Sequence, residues 1–418
     1  MSGLWVHLLL GVGAAVGMLW LGSVFDVVKP CPEPMSALNR PECAWSLSYD
    51  EARAKFLAAA AQAKASRVDS LLISKENELF IDIAVFEGRK DQLVMHISGT
   101  RGVEAYVGSA IQIAALKHLS INASGPTVVL VHVLNPFGMK FSRRVNENNV
   151  DLNRNVLFGA DQEARRKRDP NIAGYEDLYN VLNPSGPPCW SSFITWMARL
   201  AKVLLEPGGA SKFRRALITG TYSREKGIYF GGLQLQQSIV ALRSWLEGSS
   251  LLESVRRLII IDVHSGLGDF ASDTILVDPK FNSDALIMNP HSSKVPFVKP
   301  IRIERLSGEE VPTQEADASV GYDLAGGFVD QGLPRLFKHG DIRYQNLAQE
   351  FGTFAAVRVA YALIHENQAW QYGSVEDRKR NTANLKQVFA PDSQAFVEGI
   401  VSRGLSLLFN SLEIVGKF

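Results

Sequence analysis

Two hydrophobic periods alternate along most of the chain. Short apolar runs rich in β-branched residues, such as those at 127–134 and 258–263, are typical of strands buried on both faces of a sheet. In other segments, apolar residues recur every three or four positions, which predicts helices with one buried face. Strands that alternate with helices predict an α/β fold, with a mixed, mostly parallel twisted sheet flanked by helices on both faces.

The same criteria place the individual elements along the chain. We predict strands at residues 79–86, 127–134, 216–222, 258–263 and 273–277. A further strand is predicted to begin at residue 93, and another to end at residues 349–353. Helices are predicted at 48–65, after the break at 98–102, and at 187–205, 234–246, 355–370 and within 381–409. Residues 280–345 are rich in turn-forming residues, so we expect an irregular flap or insertion there.

The amino terminus begins with an almost wholly apolar segment at residues 4–28. Its uncharged part has about the ~20 residues that a helix needs to cross a bilayer, so we expect residues 1–28 to be a transmembrane helix or signal anchor. A cleaved secretory signal and a buried helix are the alternatives. The expected location is therefore the membrane, with a single amino-terminal anchor, or the secretory pathway.

The rest of the chain divides into a proline-rich linker at 29–45, a main domain at 46–375 and a helical carboxyl-terminal extension at 376–418. Cys31 and Cys43 lie near the two ends of this linker, where they flank a proline-rich segment, and could pair in an oxidising compartment. Cys189 would then remain unpaired, and we expect it to be buried beside Trp190. Asn122 begins an acceptor sequence for N-glycosylation in a secreted chain.

Charge narrows the range of partners. The chain has 44 Lys and Arg against 43 Asp and Glu, a net charge of +1, so it lacks the basic surface that nucleic-acid binding requires. One basic run at residues 165–168 is flanked by acidic residues and is expected to be a solvated loop.

Polar residues that could carry chemistry cluster where the predicted strands end, which is where α/β folds place their sites. The candidates are Arg101, Glu104, Arg143, Arg144, Asn146, Asp151, Asn153, Arg154, His264 and Glu350. His264 follows the most hydrophobic predicted strand, a position typical of a metal ligand, with Asp262 able to orient its ring. A hydrogen-bonded histidine at the rim of the core is the alternative.

The segment at residues 149–155 is dense in polar side chains. Arg154, together with Arg144, could hold a carboxylate through bidentate hydrogen bonds. Alternatively, its Asn and Asp side chains satisfy the backbone of their own loop.

Five motifs make a resemblance specific: SGTRGVEAYVGSAIQ, RRVNENNVDLNRN, KGIYFGG, DVHSGLG and QEFGT. In this order they resemble the zinc carboxypeptidase A superfamily, in particular a branch of carboxypeptidase-like domains of unknown function. The resemblance covers residues 47–372 and implies a metallocarboxypeptidase-like fold with zinc as the cofactor.

The resemblance also implies roles. Glu104 and His264 would be zinc ligands, and Glu350 would be the general base that activates water. Asn153 and Arg154 would bind the carboxylate of a substrate, which would be a peptide or an amino-acid conjugate with a free carboxylate.

Arg144 would stabilise the oxyanion that forms at the scissile carbonyl. The implied reaction is hydrolysis of the amide bond next to that carboxylate.

The chain departs from the family pattern at Arg101, where His-x-x-Glu is expected. A guanidinium offers no lone pair to a metal, so two of the three expected ligands remain. His96, His132 or His339 would have to supply the third.

Two hypotheses follow from this departure. One is a zinc-dependent hydrolase with a degenerate metal site. The other is a catalytically inactive, membrane-tethered carboxylate-binding or scaffold protein, in which Arg101 pairs with Glu104 and Glu350 in place of the metal.

Overall fold

A computed structural model of the 418-residue chain describes residues 27–29, 31, 40–120, 122–277, 295–296, 298–300, 302–305, 324–337 and 342–417. Nearly all of the predicted membrane segment at 1–28, and much of the region at 280–345, lie outside these residues. Within the described residues, no helix combines the length and the apolar character needed to cross a membrane.

The strands of the described residues form one sheet. They are β1 (Arg67–Ser74), β2 (Leu79–Phe86), β3 (Arg89–Ile97), β4 (Pro126–His132), β5 (Arg257–Phe270), β6 (Asp273–Val277), β7 (Arg302–Arg305) and β8 (Arg343–Gly352). Their spatial order is β1-β2-β4-β3-β5-β8-β6-β7. The central strands β4, β3, β5 and β8 run parallel, whereas β1, β2 and β6 introduce antiparallel pairs. The predicted mixed, mostly parallel sheet is confirmed.

Helices occupy both faces of this sheet. They are α1 (Pro41–Ala44), α2 (Tyr49–Gln62), α3 (Ala105–Ala115), α4 (Pro136–Lys140), α5 (Ala160–Lys167), α6 (Tyr179–Leu182), α7 (Trp190–Leu205), α8 (Gly209–Thr219), α9 (Gln237–Glu247), α10 (Leu251–Ser254), α11 (Val329–Gly332), α12 (Ala356–Tyr372), α13 (Val375–Phe389) and α14 (Gln394–Ile414). Short 3-10 helices lie at Gly102–Glu104, Leu152–Arg154 and Leu333–Leu336.

The two-residue period of the strands divides the core between the two faces. Val94 and Ile259 point into a cluster covered by α2, α3 and α14. Their neighbours Leu93 and Leu258 point into a second cluster covered by α9 and α10. A third cluster joins α7, α8, α12 and α13 beside the sheet. Central strands buried on both faces explain why their sequences read as continuous apolar runs.

Three local predictions were wrong. The predicted strand at 216–222 is mostly the end of helix α8, because a short apolar run does not distinguish a strand from a buried helical turn. The basic run at 165–168 lies largely in α5, an exposed helix. Cys189 is exposed, and Trp190 beside it is 71% exposed.

Two contacts stabilise the described residues near the amino terminus. Cys31 and Cys43 are joined by a disulfide, as their flanking positions suggested. Ser48 caps helix α2, since its hydroxyl accepts a hydrogen bond from the backbone N–H of Glu51.

Candidate functional site

The site lies at one edge of the sheet, where four neighbouring parallel strands end. In the register of the sheet, Ile97 at the end of β3 pairs with Asp262 of β5. Two residues later, His264 of β5 pairs with Glu350 of β8. The loops after β3 and β4 extend over the same edge. Side chains from four distant parts of the sequence therefore converge, as expected of strand ends in a parallel sheet.

Glycines bring the first two loops into backbone contact. Gly99 has a φ of +72°, and a Cβ there would lie 2.6 Å from the Cβ of Ala105. A Cβ on Gly102 would lie 2.2 Å from the Cα of Gly138 in the loop after β4. This close approach lets the N–H of Gly102 donate to the carbonyl of Arg144 at 3.0 Å. The loops that carry Arg101, Glu104 and Arg144 are thus held against each other.

Glu104 is the buried acceptor at the centre of the site. Its Oε1 accepts a hydrogen bond from Nη1 of Arg144 at 3.1 Å. Its Oε2 lies 3.2 Å from Nδ1 of His264 and accepts from the backbone N–H of Ser265 at 3.1 Å. Burial alone would raise the pKa of Glu104, but Arg101, His264 and Arg144 lower it below its usual value. Glu104 is therefore an ionised carboxylate surrounded by donors.

Both ring nitrogens of His264 face carboxylates. Nδ1 faces Glu104, and Nε2 lies 2.9 Å from Oδ2 of Asp262. Asp262 is itself held by the hydroxyl of Thr100, which donates to it at 2.7 Å. Burial would lower the pKa of His264, but the negative charges of Asp262 and Glu350 outweigh it and raise the pKa to about 10. The ring of His264 therefore lies between two carboxylates that favour its charged form.

Arg101 lies between the two glutamates of the site. Its Nη1 is 3.5 Å from Oε2 of Glu104 and 3.3 Å from Oε1 of Glu350. The side chain is 6% exposed, so this cation is almost fully removed from water. The expected third ligand position is thus filled by a positive charge that pairs with both an expected metal ligand and the expected general base.

Arg144 bridges Glu104 and a second buried carboxylate. Its Nε donates to Oδ2 of Asp151 at 3.0 Å, and its guanidinium lies 4.1 Å from the centre of the Tyr229 ring. Burial would raise the pKa of Asp151, but Arg144 and Arg154 lower it to about 2. Asp151 also accepts from the backbone N–H of Asn153, which fixes the loop that carries the carboxylate-binding candidates.

Asn153 and Arg154 lie at the same edge, as predicted. Arg154 donates to the carbonyls of Asn153 at 2.8 Å and Ile218 at 2.6 Å, so the end of α8 helps to position it. Its guanidinium also lies 4.8 Å from the centre of the Phe328 ring. Asn153 accepts from the backbone N–H of Val329 at 3.0 Å.

Several candidates do not reach the site. Arg143 pairs with Glu366 of α12 at 2.6 Å, and Asn146 donates to Gln236. His96 contacts Gln112, whereas the ring of His132 contacts Ser109 and stacks on Phe56. Burial lowers the pKa of His96 to about 4 and that of His132 to about 3, so both are neutral. His339 lies outside the described residues.

The side chains present do not fit a zinc ion. Zinc requires donors with free lone pairs, which the guanidinium of Arg101 cannot offer. Both oxygens of Glu104 already accept hydrogen bonds from the protein. Across the described parts of the chain, no three His, Cys, Asp or Glu side chains form a group that could hold a metal.

Two residues of the site, Tyr229 and Asp330, were not predicted from the sequence. Tyr229 lies within the KGIYFGG motif, but no signal marked its ring as the surface against which the Arg144 guanidinium packs. Asp330 lines a small pocket with Arg101, Asn153, His264 and Glu350. It falls in the turn-rich region at 280–345, where the hydrophobic pattern carries little information. Burial and the charge of Asp262 raise the pKa of Asp330 to about 7.

Comparison with known proteins gives a family match. The family described as "Protein of unknown function (DUF2817)" matches residues 45–403 of this chain. A search of curated proteins finds no match.

Solved structures with a similar chain path include a candidate metallopeptidase from Shewanella amazonensis SB2B (12% identity, TM-score 0.36, 78% of this chain and 94% of that chain). Bovine thrombin-activatable fibrinolysis inhibitor, solved with tick carboxypeptidase inhibitor, is 12% identical over 85% of this chain and 97% of that chain, with a TM-score of 0.39. Another structure of thrombin-activatable fibrinolysis inhibitor is 11% identical over 94% of this chain and 82% of that chain, with a TM-score of 0.46. At this level of similarity, function must be inferred from this chain's own side chains.

The protonation of Asp330 gives a prediction about stability. The pKa of its carboxyl is about 7 in the folded protein and 3.8 in a model peptide, so the folded state binds this proton more tightly. The contribution of this proton to the free energy of unfolding is fully present below pH 3.8, the pKa of the carboxyl in the unfolded chain. It is lost as pH rises through about 7. We expect Asp330→Asn to become more stable relative to the wild type, by a few kcal/mol, as pH rises through this window.

Denaturant unfolding at pH values on both sides of the window measures this difference. Asp269→Asn, at an exposed position, is the matched control and should follow the wild type. Equal pH dependence of the free energy of unfolding in the wild type and Asp330→Asn would contradict the prediction.

Proposed function

The chain belongs to the DUF2817 family of proteins of unknown function. We propose that it is a carboxypeptidase-like domain that binds free carboxylates without zinc. The ligand would be a peptide or an amino-acid conjugate that ends in a carboxylate. The motifs of the zinc carboxypeptidase A superfamily support the architecture of the site. The side chains around Arg101 support the loss of the metal.

The contacts of Arg101 carry this proposal. Its guanidinium lies within 3.5 Å of Glu104 and 3.3 Å of Glu350, the two carboxylates that a metallopeptidase would use at its metal and its water. Glu104 is buried and the side chain of Glu350 is 14% exposed, so loss of the cation between these carboxylates would be destabilising. Arg101 supplies the compensating charge that zinc would otherwise provide, which leaves Glu350 paired with a cation.

Three groups remain suited to a ligand carboxylate. Arg144 and Arg154 present guanidinium groups to the same cavity, and the planar fork of a guanidinium matches the two oxygens of a carboxylate. Asn153 lies next to Arg154 in the loop. Oriented cations in a site shielded from water bind an anion more strongly than exposed cations do.

A zinc-dependent hydrolase is the second candidate. It is favoured by the proximity of Glu104, His264 and Glu350, which the resemblance assigns to metal binding and catalysis. It would require Arg101 to leave both glutamates, His264 to lose a proton and a third ligand to enter. The amino-terminal apolar segment would tether either form of the protein to a membrane or direct it to the secretory pathway.

Metal content separates the two candidates. We expect the purified wild-type chain to hold far less than one zinc per chain by elemental analysis, because Arg101 occupies the third ligand position. Arg101→His restores a lone pair and removes the guanidinium beside Glu104, so this variant should gain zinc in a manner that depends on His264. Arg243→His, at an exposed position, is the matched control.

Stoichiometric zinc in the wild type, lost in His264→Ala, would overturn the zinc-free assignment.

Carboxylate binding is tested with a small ligand. We expect Arg154→Lys to weaken binding of N-acetylglycine about 10- to 100-fold in isothermal titration calorimetry, because lysine cannot form the bidentate contact. Glu350→Gln should leave binding unchanged or strengthen it, since it removes a negative charge from the cavity. Arg243→Lys, at the surface, should behave like the wild type. Equal affinity in the wild type and Arg154→Lys would contradict the assigned role of Arg154.

A further inference from the structure

A cavity of about 570 Å³ leads away from the site between α7 and α8 on one side and α12 on the other. This volume is in the range of sites that enclose a drug-sized molecule, ~300–1,000 Å³. It is much larger than a single carboxylate requires. The cavity therefore has room beyond the arginines for a group much larger than a carboxylate.

The end of the cavity near the site is cationic. Arg101, Arg144 and Arg154 line it, and Glu350 is the carboxylate exposed there among the described residues. Glu104 and Asp151, which accept hydrogen bonds from Arg144, do not line the cavity. Because three guanidinium groups and one carboxylate line this end of the cavity, it favours a ligand group that carries one negative charge.

The walls beyond this end are apolar. Representative lining side chains are Leu200, Phe213, Leu217, Phe354, Val359 and Leu363. Arg214 of α8 also lines the cavity, and further charged side chains lie at Arg302 and Glu304, which pair with each other at 3.3 Å. The cavity therefore has a cationic end and a long apolar section, a polarity that matches an amphiphile.

We infer that the ligand is an amphiphile with one terminal carboxylate and a linear apolar tail, an inference that rests on the proposed carboxylate-binding function. Its carboxylate contacts the guanidinium groups of Arg144 and Arg154. Its tail lies between α8 and α12, against side chains such as Leu217 and Leu363. A fatty acid and an N-acyl amino acid share this chemistry.

An extended peptide fits these walls less well. Every peptide unit carries an N–H and a C=O, and each such group buried without a partner costs ~1–3 kcal/mol. Most of the side chains along the apolar section, such as Leu217 and Leu363, offer neither a donor nor an acceptor. A hydrocarbon chain has no such groups and gains free energy from each methylene that leaves water.

A series of ligands of increasing tail length tests this inference. Isothermal titration calorimetry with the full chain would compare N-acetylglycine, N-hexanoylglycine and N-dodecanoylglycine, then hexanoate and dodecanoate, each below its critical micelle concentration. We expect binding to tighten about three- to fourfold per methylene until the cavity is filled. The comparison of the acylglycines with the fatty acids shows whether an N-acyl amino acid or a fatty acid binds more tightly.

A cavity-filling variant locates the tail. Ala360 lines the cavity from α12, so Ala360→Phe should abolish the dependence on tail length and leave N-acetylglycine binding unchanged. Ala198→Phe places the same side chain on an exposed part of α7 and should bind like the wild type. The folded state of both variants is checked by their thermal unfolding.

The outcomes separate this inference from the proposed function. If N-acetylglycine binds through Arg154 but longer tails add no affinity, the tail assignment is wrong and the carboxylate-binding function stands. Equal effects of Ala360→Phe and Ala198→Phe would also overturn the tail assignment. If no carboxylate in the series binds, the proposed function fails and the amphiphile inference fails with it.

Discussion

The guanidinium of Arg101 lies between Glu104 and Glu350, and the other polar groups of the site are arranged around this contact. Glu104 is also bound by Arg144 and faces His264, and His264 is held in turn by Asp262. Removing one partner of a buried ion pair typically costs ~3–5 kcal/mol, because the other charge stays buried. A neutral residue in place of Arg101 would remove the cation that pairs with Glu350 and one of the positive groups around Glu104. The protein thus has a site that requires a positive charge and supplies it from its own chain.

The sheet and its loops fix the positions of these charged side chains. Four parallel strands end at one edge, and the sheet register places His264 beside Glu350. The backbone contact at Gly102 and Gly138 holds the loops after β3 and β4 together. The charges of the site are therefore fixed by elements whose apolar residues form the core. Because the core and the charged site use different residues, a substitution at one ligand position can leave the fold intact.

Much of the architecture follows from local patterns in the sequence. The apolar runs of β4 and β5 are unambiguous because these strands are buried on both faces. The clustering of Arg101, Glu104, His264 and Glu350 also follows from their positions at strand ends. The pairing of Arg101 with both glutamates could be formulated from charge alone, but the distances required the structure.

Other features depend on tertiary contacts that no local pattern encodes. The apolar residues of α8 around Ala216 are compatible with a strand or a helix, and only packing against α7 and α12 selects the helix. The placement of Asp330 beside the site depends on a turn-rich region with weak periodicity. The apolar cavity arises between the consecutive helices α7 and α8 and the distant helix α12, so its existence could not be predicted from any one of them.

A crystal structure of the chain grown in excess zinc, with anomalous scattering recorded at the zinc edge, tests the central contact most directly. We expect continuous density for the Arg101 guanidinium between Glu104 and Glu350, with no anomalous peak beside His264. An anomalous peak bound by Glu104 and His264, with Arg101 turned away from both glutamates, would contradict it.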